Sequence, residues 1–324
     1  DDKRVVIVGG GFAGIAAAKD LAGVDGIHVT LVSNQMHFEY YPAIYRVLSG
    51  WSPAGVCIPY DEIFGDTNVE VVQDKIISWE SNEKKLIGES GSHYLYDYTI
   101  LAFGSETVFF GVEGMSEYAY SFKSISEALR IKNHLHELFK IHSHPSVVDE
   151  KKDLTIVVIG AGATGVEVAA DMAIYTKKLA KNHGIDYSLV NILLFEAGKQ
   201  ILSIAPIEFA NKVKKRLEGL GVKVMTDMRI LKQEKDAVFV NDKKIDTRTV
   251  IWTAGAKPSA MYSAFGFEMN PKGKVIVNEF LEAKNHEGVF IAGDAADTKY
   301  SGFAQTAIHN GKFIAKHIKR LIKG

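Results

Sequence analysis

Two glycine-rich runs in this 324-residue sequence could cradle phosphates. Gly9-Gly10-Gly11-Phe12-Ala13-Gly14 directly follows Val5-Val6-Ile7-Val8. Gly160-Ala161-Gly162-Ala163-Thr164-Gly165 directly follows Thr155-Ile156-Val157-Val158-Ile159. In G-x-G-x-x-G the first glycine makes a tight turn and the second lets backbone approach a pyrophosphate. The third lets helix and strand pack closely, and the helix N-terminus supplies the positive end of its dipole. One match can be a mere packing turn. Two matches, each after a short apolar β-branched run, point to two dinucleotide sites.

A ribose-binding acid belongs at the end of the next strand, about 20 residues on. In the second unit Leu193-Leu194-Phe195-Glu196 supplies it, displaced by a long helix and loop over 171–190. In the first unit the matching place is Ser33 at the end of Val29–Ser33, so Ser33 and Asn34 would have to bond the ribose hydroxyls. Glu167 stands two residues past Gly165 and is expected in the first helical turn, where an acid favours the helix N-terminus.

One cysteine, Cys57, leaves no internal disulfide, no CxxC pair and no multi-cysteine metal site. Between apolar neighbours it reads as a small buried hydrophobe, and a reducing compartment is the default. The histidines are scattered, and no cluster suggests a metal. With 38 basic and 39 acidic residues the net charge of −1 argues against a nucleic-acid protein. No secretory signal is visible at the N-terminus. The most apolar long stretch, Leu154–Ala173, is broken by Glu167, Asp171 and glycines, so no membrane span is expected.

The elements that must position these residues repeat. An apolar strand, a glycine turn and an Ala-rich helix open a βαβ unit at residue 5 and again at residue 155, a domain length apart. Between them the pattern predicts strands at Val69–Val72, Ile76–Trp79, Lys85–Ile87 and Tyr98–Ala102. A helix over Ser124–Ile141 and a polar connector, 143–153, follow. After the second loop come strand Asn191–Phe195, helix Pro206–Leu220, strands near Val222, Val238 and Val250, strand Gly288–Ala292 and a helix over Phe303–Ile322. From Thr298 onward there is no acid against six Lys or Arg residues, and Phe313, Ile314, Ile318, Leu321 and Ile322 make an apolar stripe. A helix packed on its own domain and one lying on an anionic membrane surface both fit that pattern.

The whole chain resembles the flavoproteins with two dinucleotide-binding domains, the pyridine nucleotide-disulfide oxidoreductase superfamily without its disulfide. Leu101-Ala102-Phe103-Gly104-Ser105 is similar to the ATG motif, Trp252-Thr253-Ala254-Gly255 to the crossover between domains, and Ile291-Ala292-Gly293-Asp294-Ala295-Ala296 to the late GD motif. Within that superfamily the chain is most similar to type II NADH dehydrogenases. His37–Gly50 looks like their HLFQP…LYQVATG segment, Gly165-Val166-Glu167 like their GVE, and Val190–Ile201 like their VEAGPRIL stretch. Ala304-Gln305-Thr306-Ala307-Ile308-His309 matches their AQxAxQ quinone motif, with His309 in place of glutamine.

The resemblance implies an α/β fold of two Rossmann-like domains, the NADH domain inserted into a discontinuous FAD domain. Residues 1–115 would form the first FAD segment, 116–255 the NAD(H) domain, and 256–324 the second FAD segment with the acceptor-site helix. Non-covalent FAD would lie against Gly9, Gly10, Gly11, Phe12, Ala13, Gly14, Ser33, Asn34, Ile76, Ala102, Gly104, Gly293, Asp294, Ala304 and Gln305, Asp294 holding the ribityl chain. NADH would meet Gly160, Gly162, Ala163, Thr164, Gly165, Glu167, Glu196 and Gly255. Glu167 would contact the nicotinamide or relay a proton, while Gln305 and His309 would serve the acceptor face, His309 as a proton donor. The function implied is hydride transfer from NADH to FAD and electron transfer to a quinone. A soluble reductase of a small redox protein and a non-catalytic FAD/NADH sensor are the alternatives. A cytoplasmic protein, peripheral on a membrane through its basic terminal helix and paired as a homodimer, completes the expectation.

Overall fold

The computed structural model describes residues 2–144, 150–299 and 302–323. The chain folds as two compact units. The first comprises Asp1–Glu39, Cys57–Glu106 and Ala256–Gly324, and the second Tyr40–Val56 and Thr107–Gly255. The polar connector over 143–153 lies partly outside the described residues, and its last turn, Glu150–Asp153, is helical.

The first unit is built on a five-stranded sheet ordered Val289–Ile291, Tyr98–Leu101, Lys3–Val8, Ile27–Ser33, Glu70–Gln73. All neighbours are parallel, with Ile7 between Leu31 and Ile100. Buried on both faces, Val5–Val8, Val29–Val32 and Val289–Ile291 read as apolar runs, broken only at Thr30, rather than as alternating ones. The second unit repeats the plan: Tyr120–Ser121, Thr249–Trp252, Thr155–Ile159, Asn191–Phe195, Val222–Met225, again all parallel. Each unit also inserts a three-stranded antiparallel meander before its crossover strand. In the first it is Ile76–Glu80, Lys85–Gly88, His93–Leu95, and in the second Ile230–Glu234, Ala237–Val240, Lys243–Asp246. The short strands at 93–95, 230–234 and 243–246 carry no clear apolar pattern and are not anticipated from sequence.

The terminal helix Ala304–Lys323 packs on the first glycine-loop helix, Phe12–Leu21. Gly311 is the contact point: a Cβ there would lie 2.2 Å from the Ala13 carbonyl oxygen. Ile314, Ala315 and Ile318 are buried in that seam, and Lys319 Nζ reaches the Asp20 carbonyl at 3.2 Å. Phe313, Ile314, Ile318 and Ile322 of the apolar stripe therefore face their own unit, while Leu321, Lys312, Lys316, Arg320 and Lys323 stay exposed. No described helix is long and apolar enough to cross a membrane.

Candidate functional site: two dinucleotide cradles

Both glycine loops leave their strands through a left-handed residue, Gly9 at φ +102° and Gly160 at φ +95°. Side chains are disfavoured there by geometry and by space, since a Cβ would meet the Ala102 carbonyl oxygen at 2.0 Å or the Ala254 Cα at 2.6 Å. The amides of Gly9 and Gly160 bond back to Val32 and Phe195, at the ends of the strands that should carry the ribose ligands. The third glycines sit equally close, 1.8 Å and 1.7 Å from a Cβ position to the carbonyl oxygens of Gly9 and Gly160. Helix and turn thus interlock as the motif requires.

The residues present fit two dinucleotides. Gly11 and Gly162 cap the two helices without a side-chain cap, and a Cβ on either would meet nothing within 4 Å. Open space at an uncapped helix N-terminus is where phosphate oxygens can approach amide groups. Phe12, Ala13 and Gly14 form the first turn above the first loop, and Ala163, Thr164 and Gly165 the matching turn in the second.

The second cradle is closed by Glu196. Its Oε2 accepts the Ala161 amide at 2.9 Å and its Oε1 the Gly198 amide at 2.8 Å. Fixed on the loop, the carboxylate still has lone pairs for ribose hydroxyls. Thr253 donates to the Ile159 and Gly160 carbonyls, both at 2.9 Å, and braces the turn. Gly255 backs onto the Phe110 ring, 2.6 Å from where a Cβ would stand.

The first cradle is closed differently. Ser33 is buried, and its hydroxyl meets Tyr60 Oη at 3.3 Å, while Tyr60 donates to the Gly10 carbonyl at 2.8 Å. Burial, foremost, raises the Tyr60 pKa; the Ser33 hydrogen bond opposes the shift and the Glu39 charge adds to it. Asn34 is exposed beside this pair. Ile76, expected next to the cofactor, has its side chain in the hydrophobic core at 4% exposure.

Two further residues hold the far side of the first cradle. Tyr262, fully buried, accepts the Phe103 amide at 3.1 Å and donates to the Leu101 carbonyl at 3.2 Å, pinning the segment Ala102–Gly104. Asn310, buried on the terminal helix, accepts the Gly293 amide at 3.1 Å and so sets the GD turn. Asp294 is half-buried there and accepts the Gly302 amide at 3.1 Å. Ala304 is half-buried, and Gln305 and His309 are exposed one turn apart on the same helix, with the His309 ring 6.3 Å from Phe313. Tyr60, Tyr262 and Asn310 escaped the sequence reading because no spacing links them to the motifs they brace.

Two sequence expectations need correction. Helix Ala163–His183 begins at Ala163, so Glu167 lies in its second turn, and the first turn carries no acid. Cys57 is half-buried rather than buried, because it sits in a short antiparallel strand pair opposite Glu39. Among the described residues no group of three or more His, Cys, Asp or Glu is placed to hold a metal.

A family model described as pyridine nucleotide-disulphide oxidoreductase matches residues 3–311. The chain belongs to that family. The family's fold accounts for the doubled parallel sheet, and its two ligands are FAD, which the first cradle fits, and a pyridine nucleotide, which the second fits. A type II NADH:quinone oxidoreductase of Staphylococcus haemolyticus is 27% identical over 341 residues, covering 100% of this chain and 84% of the relative. The Mycobacterium tuberculosis protein of the same name is 28% identical, covering 99% of this chain and 73% of its own length. Among solved structures, NDH2 from Plasmodium falciparum in complex with NADH superposes at a TM-score of 0.84 with 22% identity, over 91% of this chain and 64% of that one. A sulfide:quinone oxidoreductase from Aquifex aeolicus follows at a TM-score of 0.80, 21% identity and 99% and 77% coverage.

Proposed function

We propose that the chain is an FAD-dependent NADH:quinone oxidoreductase. The observation that carries this is the pair of complete cradles in one chain, only one of which is closed by a carboxylate suited to a ribose of NADH. The full-length likeness to proteins named type II NADH:quinone oxidoreductases supports the choice of acceptor.

Bound FAD would supply the two-electron chemistry, taking hydride from NADH and passing electrons onward. The chain's own residues bind, orient and move protons. Glu196 holds the adenosine ribose of NADH, and Glu167, in the second turn of helix Ala163–His183, serves the nicotinamide end of that site. Asp294 and the Gly9–Gly14 loop hold FAD. Gln305 and His309 serve the quinone, His309 as the proton donor to the reduced acceptor. The exposed Lys312, Lys316, Arg320 and Lys323 would let the same helix lie against anionic lipid.

Separated half-reactions test the assignment. Gln305→Ala and His309→Ala should slow reoxidation of the flavin by a short-chain quinone about tenfold or more. Anaerobic flavin reduction by NADH should stay within about twofold of wild type. Equal loss in both halves would mean that the terminal helix does not serve the acceptor.

A further inference from the structure

The start of the terminal helix Ala304–Lys323 is tied to the first cradle at two places that share one turn, Gly293–Ala295. Asn310 is buried at 4% exposure, and its Oδ1 accepts the Gly293 amide at 3.1 Å. In the other direction Asp294 Oδ1 accepts the Gly302 amide at 3.1 Å, two residues before the helix begins. The turn therefore donates to the helix and accepts from its entry. Gly293 stands at φ +82°, and a Cβ there would lie 3.9 Å from the Ala307 Cβ and 4.0 Å from the Ala13 Cβ. Next to Asn310, Gly311 seats on the Ala13 carbonyl of the glycine-loop helix. The buried side of residues 302–311 thus touches both elements that the first cradle offers to FAD. The opposite side of the same helix presents Gln305 and His309, both exposed.

We propose that Asn310 is a positioning residue that couples the two ligand sites of this unit. Through the Gly293 turn it holds Asp294 for FAD, and through its own helix it holds Gln305 and His309 for the quinone, the roles of those three resting on the function proposed above. A carboxylate has acceptor capacity for more than one donor. With Asp294 Oδ1 on the Gly302 amide, Oδ2 is left for a ribityl hydroxyl. One carboxylate then serves the cofactor with one oxygen and the helix entry with the other. Bound FAD steadies the helix entry, and a seated helix steadies the carboxylate, because coupling between two sites is reciprocal. Removing the Asn310 oxygen would leave the buried Gly293 amide without its acceptor, which costs more than the bond itself is worth. The far half of the helix is held independently. Ile314, Ala315 and Ile318 are buried there, and Lys319 Nζ reaches the Asp20 carbonyl at 3.2 Å. Loss of the Asn310 bond therefore loosens the start of the helix and leaves the rest in place.

The test compares two variants in the FAD-loaded protein. Asn310→Leu removes the accepting oxygen at similar size, and Asn310→Asp keeps one. Flavin release on dilution, followed by flavin fluorescence, should be about tenfold faster in Asn310→Leu and within about twofold of wild type in Asn310→Asp. Amide hydrogen exchange should quicken about tenfold over residues 304–311 in Asn310→Leu, while residues 314–318 keep their wild-type protection. The KM for a short-chain quinone should rise by a larger factor than kcat falls. Wild-type flavin release and wild-type exchange in Asn310→Leu would overturn the proposal. Faster exchange spread equally over residues 304–318 would overturn it too, since that marks a general loss of stability. Faster flavin release without faster exchange over 304–311 also counts against it, because the two sites would then be uncoupled. If Asn310→Leu does not fold, Asn310→Ser makes the same comparison, its shorter side chain withdrawing the oxygen from the turn. A wild type that reduces no quinone sinks the proposed function, while flavin release and exchange still decide the coupling.

Discussion

In the second unit the Ala161 amide donates to Glu196 Oε2 at 2.9 Å, whereas at the matching point of the first unit Tyr60 donates its hydroxyl to the Gly10 carbonyl at 2.8 Å. The backbone plan is shared: the same sheet order, the same left-handed first glycine and the same contact of the third glycine with the first. The closing group is opposite in character. A carboxylate accepts from the loop and leaves a negative charge beside the ribose site, while a buried phenol donates to the loop and leaves no charge. On the function proposed above, the second cradle would discriminate electrostatically between nucleotides and the first by shape. The difference also explains a sequence detail. A Cβ on Gly10 would lie 1.7 Å from Tyr60 Oη, so that position must be glycine, whereas a side chain is accommodated at Ala161.

Exchanging those two residues should produce the largest effect. Gly10→Ala drives a methyl group into Tyr60, 1.7 Å from its oxygen and 2.4 Å from its ring carbon. Overpacking of this kind costs about 1–3 kcal/mol, and the protein should be purified with much less flavin. Ala161→Gly adds only backbone freedom, about 0.5–1 kcal/mol, and should leave flavin content untouched. Flavin-to-protein absorbance ratios and urea midpoints measure both. Equal losses in the two variants would mean that Tyr60 does not occupy the space beside Gly10.

The next effect tests the charge in the second cradle. Two unit charges about 4 Å apart repel by about 4 kcal/mol at an effective dielectric of 20. Screening that removes about two thirds leaves about 1.4 kcal/mol, a tenfold preference for NADH over NADPH. Lys199, exposed on the following loop, tempers the preference without abolishing it. In Glu196→Gln the amide can accept only one of the two backbone N–H groups that the carboxylate now takes. The kcat/KM for NADH should fall while that for NADPH rises, closing the gap. Equal use of both coenzymes by wild type would remove Glu196 from the ribose.

Much of this was legible in the sequence, for a physical reason. Residues 5–14 and 155–165 are local: strand, turn and helix follow one another, and each glycine answers a constraint within a few residues. Glu196 was equally legible because it ends the strand that pairs with the loop strand. Tyr60, Tyr262 and Asn310 brace the Gly10 loop, the Phe103 segment and the Gly293 turn across 50, 159 and 17 residues of sequence, and nothing in their neighbourhoods marks them. The association of Tyr40–Val56 with the second unit was hidden for the same reason, since it depends on helix Tyr45–Leu48 packing against two distant helices.

The smallest effect isolates the phenol of the first cradle. Tyr60→Phe removes the bond to the Gly10 carbonyl and should cost about 0.5–1.5 kcal/mol at neutral pH, with a modest rise in flavin loss on dilution. Its sharper signature is alkaline. Burial raises the folded Tyr60 pKa above the value of an ordinary tyrosine, about 10. A group whose pKa is raised by folding stabilises the fold fully below its unfolded pKa, and that contribution is lost as pH rises through the folded value. Wild type should therefore lose part of its advantage over Tyr60→Phe as pH climbs above about 10, where unfolding releases a proton that the folded state retains. Tyr94, raised to about 12 by burial and its bond to Asp74, titrates in both proteins and cancels in the difference. Urea midpoints of the two proteins from about pH 8 to pH 11 make the measurement. A gap that stays constant across that range would show that the hydroxyl is solvated, and the contrast between a phenol lock and a carboxylate lock would fail.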